Sequence, residues 1–250
     1  MAGRLHAFSD ERAAAARRWS RRLFPIFLFL LALLPRLVAI GCYVTPDEPT
    51  WVYRSVEFRA ALRDGRWADT LVAGHPGVTT TWLGALGMTV QMALSAEARA
   101  AHDWLGRVAF LTPDNVAAFE RLAVLLSGGR VAVALVNSLG VVAVYYLARR
   151  LWGERAAVLA GLLLAFDPFL AGLSGLLHVD GLSATFATLA LLALACGRQV
   201  AEGGRGRALS WFALSGAMAG LAALSKTPAL ALLPVAGLAL LWPLARDRSR

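Results

Sequence analysis

Charge is scarce in this sequence, and lysine nearly absent. Charged residues fill 16% of the 250 positions and apolar residues 58%, where an ordinary soluble domain carries roughly 25% charged residues. That balance excludes a water-soluble globule. Lys226 is the sole lysine, so the net charge of +9 is carried almost wholly by arginine. Those arginines bracket apolar runs, as topology determinants do, and no nucleic-acid partner is expected from them. Cysteine is limited to Cys42 and Cys196, without metal-ligand spacing. There is no Cys/His cluster for zinc and no glycine-rich phosphate loop, so no metal and no cofactor is expected. An internal repeat, the mark of many transporters, is also missing.

What is present is a series of apolar runs near the length that crosses a bilayer, about 20 residues. Residues 1–22 are a basic, Ala/Arg-rich amphipathic start with Arg4, Arg12, Arg17, Arg18, Arg21 and Arg22, expected on the cytoplasmic surface. The first span, about Leu23–Val44, is too long for the apolar core of a signal peptide and is followed by others, so it reads as a retained anchor. It contains Arg36, which either snorkels outward or faces a wet cavity. Later spans are expected at about Arg130–Ala148, Ala156–Leu173, Leu182–Ala195, Leu209–Leu224 and Ala229–Leu241.

Between the first two spans lies a long loop, residues 45–121. It opens with a helix expected over Pro49–Arg63, whose apolar stripe of Trp51, Val52, Phe58 and Leu62 suits the membrane interface. Gly74-His75-Pro76-Gly77 reads as a turn. Val78–Leu94 is apolar but interrupted by threonines, glycines and Gln91, and arginine placement decides whether it crosses. The connectors 149–155 and 198–207 and the tail 246–250 are arginine-rich, whereas 174–180 has no Arg or Lys and 225–228 has only Lys226. With a cytoplasmic N-terminus, every basic connector falls inside only if the long loop crosses nothing. The expectation is an all-α polytopic transmembrane bundle of about six spans, its long first outer loop carrying juxtamembrane helices. In domain terms, a cytoplasmic segment (1–22) precedes one transmembrane module (23–250). Cys42 and Cys196 then lie at opposite faces and cannot pair.

Placed this way, the unusual polar residues converge. Asp47, Glu48, His75, Arg130, His178, Asp180 and Lys226 all fall on the outer side, and Asp167 precedes Pro168 where the third span is expected to break. Adjacent carboxylates at a membrane edge are costly to keep ionised. One reading makes Asp47 or Glu48 a helix cap beside Pro49, Arg130 an interface anchor and Asp180 the N-cap of the next span. The other makes the set a site.

The Asp47-Glu48 pair after span one, His75-Pro76 before a juxtamembrane helix, Arg130 heading span two, Asp180 after span three and Lys226-Thr227-Pro228-Ala229-Leu230 together resemble the C-type membrane glycosyltransferases. The nearest likeness is to glycosyltransferase family 39, the protein O-mannosyltransferases and aminoarabinose transferases. In O-mannosyltransferases a His-Pro-Pro motif follows the Asp-Glu pair; here the second proline is Gly77. The likeness covers about residues 22–242 as an N-terminal core, and since family members are usually longer, the chain is expected to be a shortened version. The resemblance implies a bacterial plasma-membrane enzyme with its site outward, surrounded by membrane lipid. It implies an inverting transfer of sugar from a polyprenyl-phosphate donor to a protein, lipid or glycan acceptor. By the same likeness Asp47 would be the general base and Glu48 would position the acceptor. His75, Arg130 and Lys226 would meet the donor phosphate, and Asp180 would orient a cation or bind sugar hydroxyls. A transporter, whose ion path carboxylates would mark, and an inactive membrane subunit are the competing expectations.

Overall fold

The computed structural model describes residues 23–247 except 39, 75, 108–111, 113 and 202–204; the basic start (1–22) and His75 lie outside the described residues. Every described element is helical: α1 (Leu23–Leu37), α2 (Glu48–Arg63), α3 (Val78–Leu94), α4 (Ala96–Leu105), α5 (Val116–Trp152), α6 (Glu154–Phe166), α7 (Pro168–Ser174), α8 (Val179–Ala201), α9 (Arg205–Ser225) and α10 (Leu232–Asp247), with short 3-10 turns at Trp67–Thr70 and Thr227–Ala231. Three of them, α5, α8 and α9, are long and apolar enough to cross a membrane. A fourth crossing is supplied if α6 and α7, bent by 63° at their junction, form one span. The remaining two expected spans fall on the shorter apolar segments Leu23–Leu37 and Thr227–Ala239. The protein is an integral, multi-pass membrane bundle.

The bend has a local cause. Pro168 cannot donate to the helix ladder, and Asp167 turns its carboxylate to accept from the Leu170 backbone N–H at 2.7 Å, so α6 stops and α7 is freshly capped.

The helices alternate in direction, and side chains at their ends show which termini share a level. At one end Phe24 of α1 packs on Tyr145 of α5 at 5.2 Å, Tyr145 donates to Glu154 at 2.6 Å, Arg149 pairs with Glu154 at 2.7 Å, and Arg150 lies over Trp211 at 5.0 Å. That end gathers the arginine-rich connectors. At the other end Arg36 of α1 donates to Ser174 at the close of α7 at 2.7 Å, and Ser183 of α8 donates to the Ala222 carbonyl of α9 at 3.4 Å. Small residues let the backbones close in, as membrane helix interfaces favour. A Cβ on Gly161 would meet Leu28 at 2.7 Å, one on Gly140 would meet Thr185 at 2.2 Å, and one on Gly197 would meet Phe212 at 2.7 Å.

One element departs from expectation. The sequence places the start of the second span at Arg130, but α5 is continuous from Val116 and 37 residues long. At 1.5 Å per residue it extends about 55 Å, against a hydrocarbon core of about 30 Å, so several turns project beyond the bilayer. Around this projection the loop helices are built. Gln91 of α3 donates to the Val124 carbonyl and to Ser127 at 2.6 and 2.8 Å and accepts from the Gly128 N–H at 3.1 Å. Gly87 and Gly128 touch so closely that a Cβ on Gly87 would lie 2.1 Å from the Gly128 carbonyl oxygen. Two of the interruptions of α3, Gly87 and Gln91, are thus its points of contact with α5.

This arrangement makes a topological prediction. In a chain lacking Cys42 and Cys196, single cysteines at Asp69, after α2, and at Arg155, in the first turn of α6, should react with a membrane-impermeant thiol reagent from opposite sides. Labelling of both from one side would overturn the non-crossing loop.

Candidate functional site

The end of the bundle opposite the arginine connectors is held by one buried ion pair. Pro49 is tolerated in the first turn of α2 because that N–H needs no helical partner, and the helix thereby starts at Glu48, whose side chain is completely buried. Arg130 of α5, also buried, donates from Nε to Glu48 Oε1 at 2.7 Å and from Nη2 to Oε2 at 2.5 Å. Its other donor contacts reach the Ile40 and Tyr43 carbonyls at 2.6 and 2.7 Å, and its plane lies over the Tyr43 ring at 4.8 Å. Glu48 also accepts from Thr45 N and Oγ1, both at 2.9 Å, and from Leu177 N at 3.0 Å. These donors fill the roughly four lone-pair sites of a carboxylate. Burial pushes the Glu48 carboxyl upward, but the Arg130 and backbone hydrogen bonds with the Arg130 charge outweigh it and hold Glu48 below its ordinary range. The knot ties the chain after α1, the body of α5 and the turn before α8 to one another.

Asp47, one residue earlier, is placed by this knot and left open. It occupies the N-cap position of α2, yet its side chain makes no capping hydrogen bond. The carboxylate is instead 72% exposed and faces His178 Nε2 at 3.3 Å. His178 lies in the turn whose Leu177 N–H Glu48 grips, and its ring meets Trp51 edge-on at 6.2 Å. On its far side Nδ1 lies 3.4 Å from the Asp180 N–H and 3.5 Å from Asp180 Oδ2. Asp180 in turn holds Lys226 Nζ at 2.5 Å. Asp47, His178, Asp180 and Lys226 thus form a row of alternating acid and base, drawn from the start of α2, the start of α8 and the residue after α9.

Lys226 is fixed from behind. The Gly77 N–H donates to the Leu224 carbonyl at 2.9 Å, and Thr79 shares a 2.6 Å hydrogen bond with Ser225, so α3 begins beside the lysine. A helix N-terminus carries partial positive charge. The same contact requires glycine at position 77. Gly77 has φ +124°, a Cβ there would lie 2.2 Å from the Trp51 ring, and its N–H is in use; proline provides neither that φ nor a donor. Gly77→Ala should push Trp51 toward His178 and lower the melting temperature, and a thermal melt unchanged within error would contradict this packing.

The sequence-expected residues therefore divide. Asp47, Asp180 and Lys226 come together in the row. Glu48 and Arg130 come together beneath it, Glu48 with both oxygens enclosed and Arg130 with four of its five N–H donors engaged within the knot. The histidine found in the row is His178, which the sequence sets among the outer polar residues without marking a role for it. The signal available is its spacing, two residues before Asp180 at the start of a span.

A family model described as dolichyl-phosphate-mannose-protein mannosyltransferase matches residues 118–249, more than half of the chain. No curated protein and no solved structure matches.

Proposed function

The chain belongs to the dolichyl-phosphate-mannose-protein mannosyltransferase family, and from that premise we propose that it transfers a sugar from a polyprenyl-phosphate donor to an acceptor at the outer membrane face, with inversion. The family's description makes mannose the first sugar to test. The observation that carries the reading is the Asp47 carboxylate: exposed, free of capping duty and ranged with His178, Asp180 and Lys226.

In this reading Asp47 accepts the proton of the acceptor hydroxyl as its oxygen attacks the anomeric carbon. The bond from that carbon to the phosphate oxygen breaks, and polyprenyl phosphate leaves with the electron pair. A general base must lie within hydrogen-bond reach of the proton it takes, and the exposed Asp47 carboxylate is open to an approaching acceptor. Charge develops on the leaving phosphate, where fixed positive charge is most effective. Lys226 serves there, oriented by Asp180 and assisted by the start of α3. His75 keeps the donor-side role that the family likeness implies. Glu48 and Arg130 hold the backbone that presents Asp47.

Lys226→Ala should weaken binding of a polyprenyl-phosphate-linked mannose in detergent by about tenfold or more, the scale of a charge-assisted hydrogen bond. Lys226 is partly exposed, so the melting temperature should hold. Unchanged donor affinity would remove the phosphate role from this lysine.

A further inference from the structure

We infer that His178 is a positioning residue for Asp47, one that aims the carboxylate through Nε2–H. The inference rests on the reading of Asp47 as general base. An exposed carboxylate at the start of a helix is free to change rotamer, and a base displaced by about 1 Å loses up to about a hundredfold in rate. Of the side chains in the row, His178 is the one that faces Asp47.

The imidazole is suited to the task because its surroundings fix it. Its side chain is 17% exposed, Trp51 abuts the ring edge-on, and the turn carrying it is pinned through Leu177 N–H to Glu48. A surface contact between two mobile side chains contributes little; this one has a single mobile partner, Asp47. The ring's tautomer follows from its neighbours. The Asp180 backbone N–H faces Nδ1, which makes Nδ1 the acceptor and leaves the proton on Nε2, toward Asp47. On the far side, Asp180 Oδ1 is engaged by Lys226. Arg54, the cation nearest on α2, is engaged over the Trp51 ring at 4.6 Å. The buried Glu48–Arg130 pair, which the sequence alone presents as part of the chemistry, thus acts on Asp47 twice: through the backbone of α2 and through the turn that holds His178.

The test compares sugar transfer by the full-length wild-type chain with that of Asp47→Asn, His178→Ala, His178→Gln, His178→Asn and the double variant Asp47→Asn/His178→Ala. His178→Ala should lower kcat by about 10- to 100-fold with acceptor KM and donor affinity within about twofold. Glutamine places an amide N–H near the position of Nε2 and should keep transfer within about threefold of wild type, whereas asparagine, too short to reach Asp47, should behave as alanine does. Because His178 acts through Asp47, the double variant should be no slower than Asp47→Asn alone. Normal kcat in His178→Ala, equal loss in the glutamine and asparagine variants, or a multiplied loss in the double variant would each overturn the inference. Near-normal transfer by Asp47→Asn would instead overturn the base assignment on which it rests. If His178→Ala fails to fold, the glutamine and asparagine pair decides the matter by the same contrast.

Discussion

Asp47→Asn should abolish most sugar transfer while leaving the protein folded, inserted and able to bind donor. Removing a general base typically costs about 10²–10⁴-fold in rate, so the loss should be at least a hundredfold. The substitution is a clean one here. Asparagine caps helices about as well as aspartate, and in any case the Asp47 side chain makes no capping bond for α2 to lose. An amide carbonyl oxygen can still face His178, so the neighbouring turn keeps an acceptor. What disappears is the capacity to take a proton. Transfer measured alongside a melting curve separates the two roles, and near-normal transfer would make Asp47 structural.

Arg130→Ala should have the opposite signature, a loss of stability that brings activity down with it. Removing one partner of a buried ion pair costs about 3–5 kcal/mol, because the other charge stays buried and unpaired. Glu48 would keep its Thr45 and Leu177 hydrogen bonds but lose the guanidinium that balances it. Replacing both partners by apolar residues of similar volume, Arg130→Met with Glu48→Leu, should recover a large part of the loss. A melting temperature for Arg130→Ala within about a degree of wild type would contradict the account of the knot. The same pair sets an acid limit. The Glu48 carboxyl is held below its ordinary range when folded, so its contribution is fully present above the unfolded-state value of about 4.3 and is lost only as pH falls through the depressed one.

Much of this was legible in the sequence because apolar length and arginine placement are coarse, additive signals. The break at Asp167-Pro168 followed from the chemistry of proline, and the gathering of Asp47, Asp180 and Lys226 at one end followed from counting spans. What the sequence did not reveal was depth. Glu48 and Asp47 are adjacent and carry the same functional group, yet one residue of rotation at the start of α2 buries the first and exposes the second. Arg130 reads as a cation at a membrane edge, but α5 runs on for several turns beyond it, which places it inside a packed bundle. That continuation is hidden because the stretch 116–129 carries Glu120 and Arg121 and is apolar on some faces only. His178 has no marked pattern of its own and becomes notable only when the turn brings it between two carboxylates.

The central claim is tested most directly by following the donor. Membranes from cells that produce the chain would be supplied with polyprenyl-phosphate-linked radiolabelled mannose from the outer side, and both the transferred label and the released polyprenyl phosphate would be counted. The account predicts transfer and release in equal amounts with the wild-type chain and at least about a hundredfold less with Asp47→Asn. Equal release by the two chains, or none by a folded wild-type chain, would contradict it.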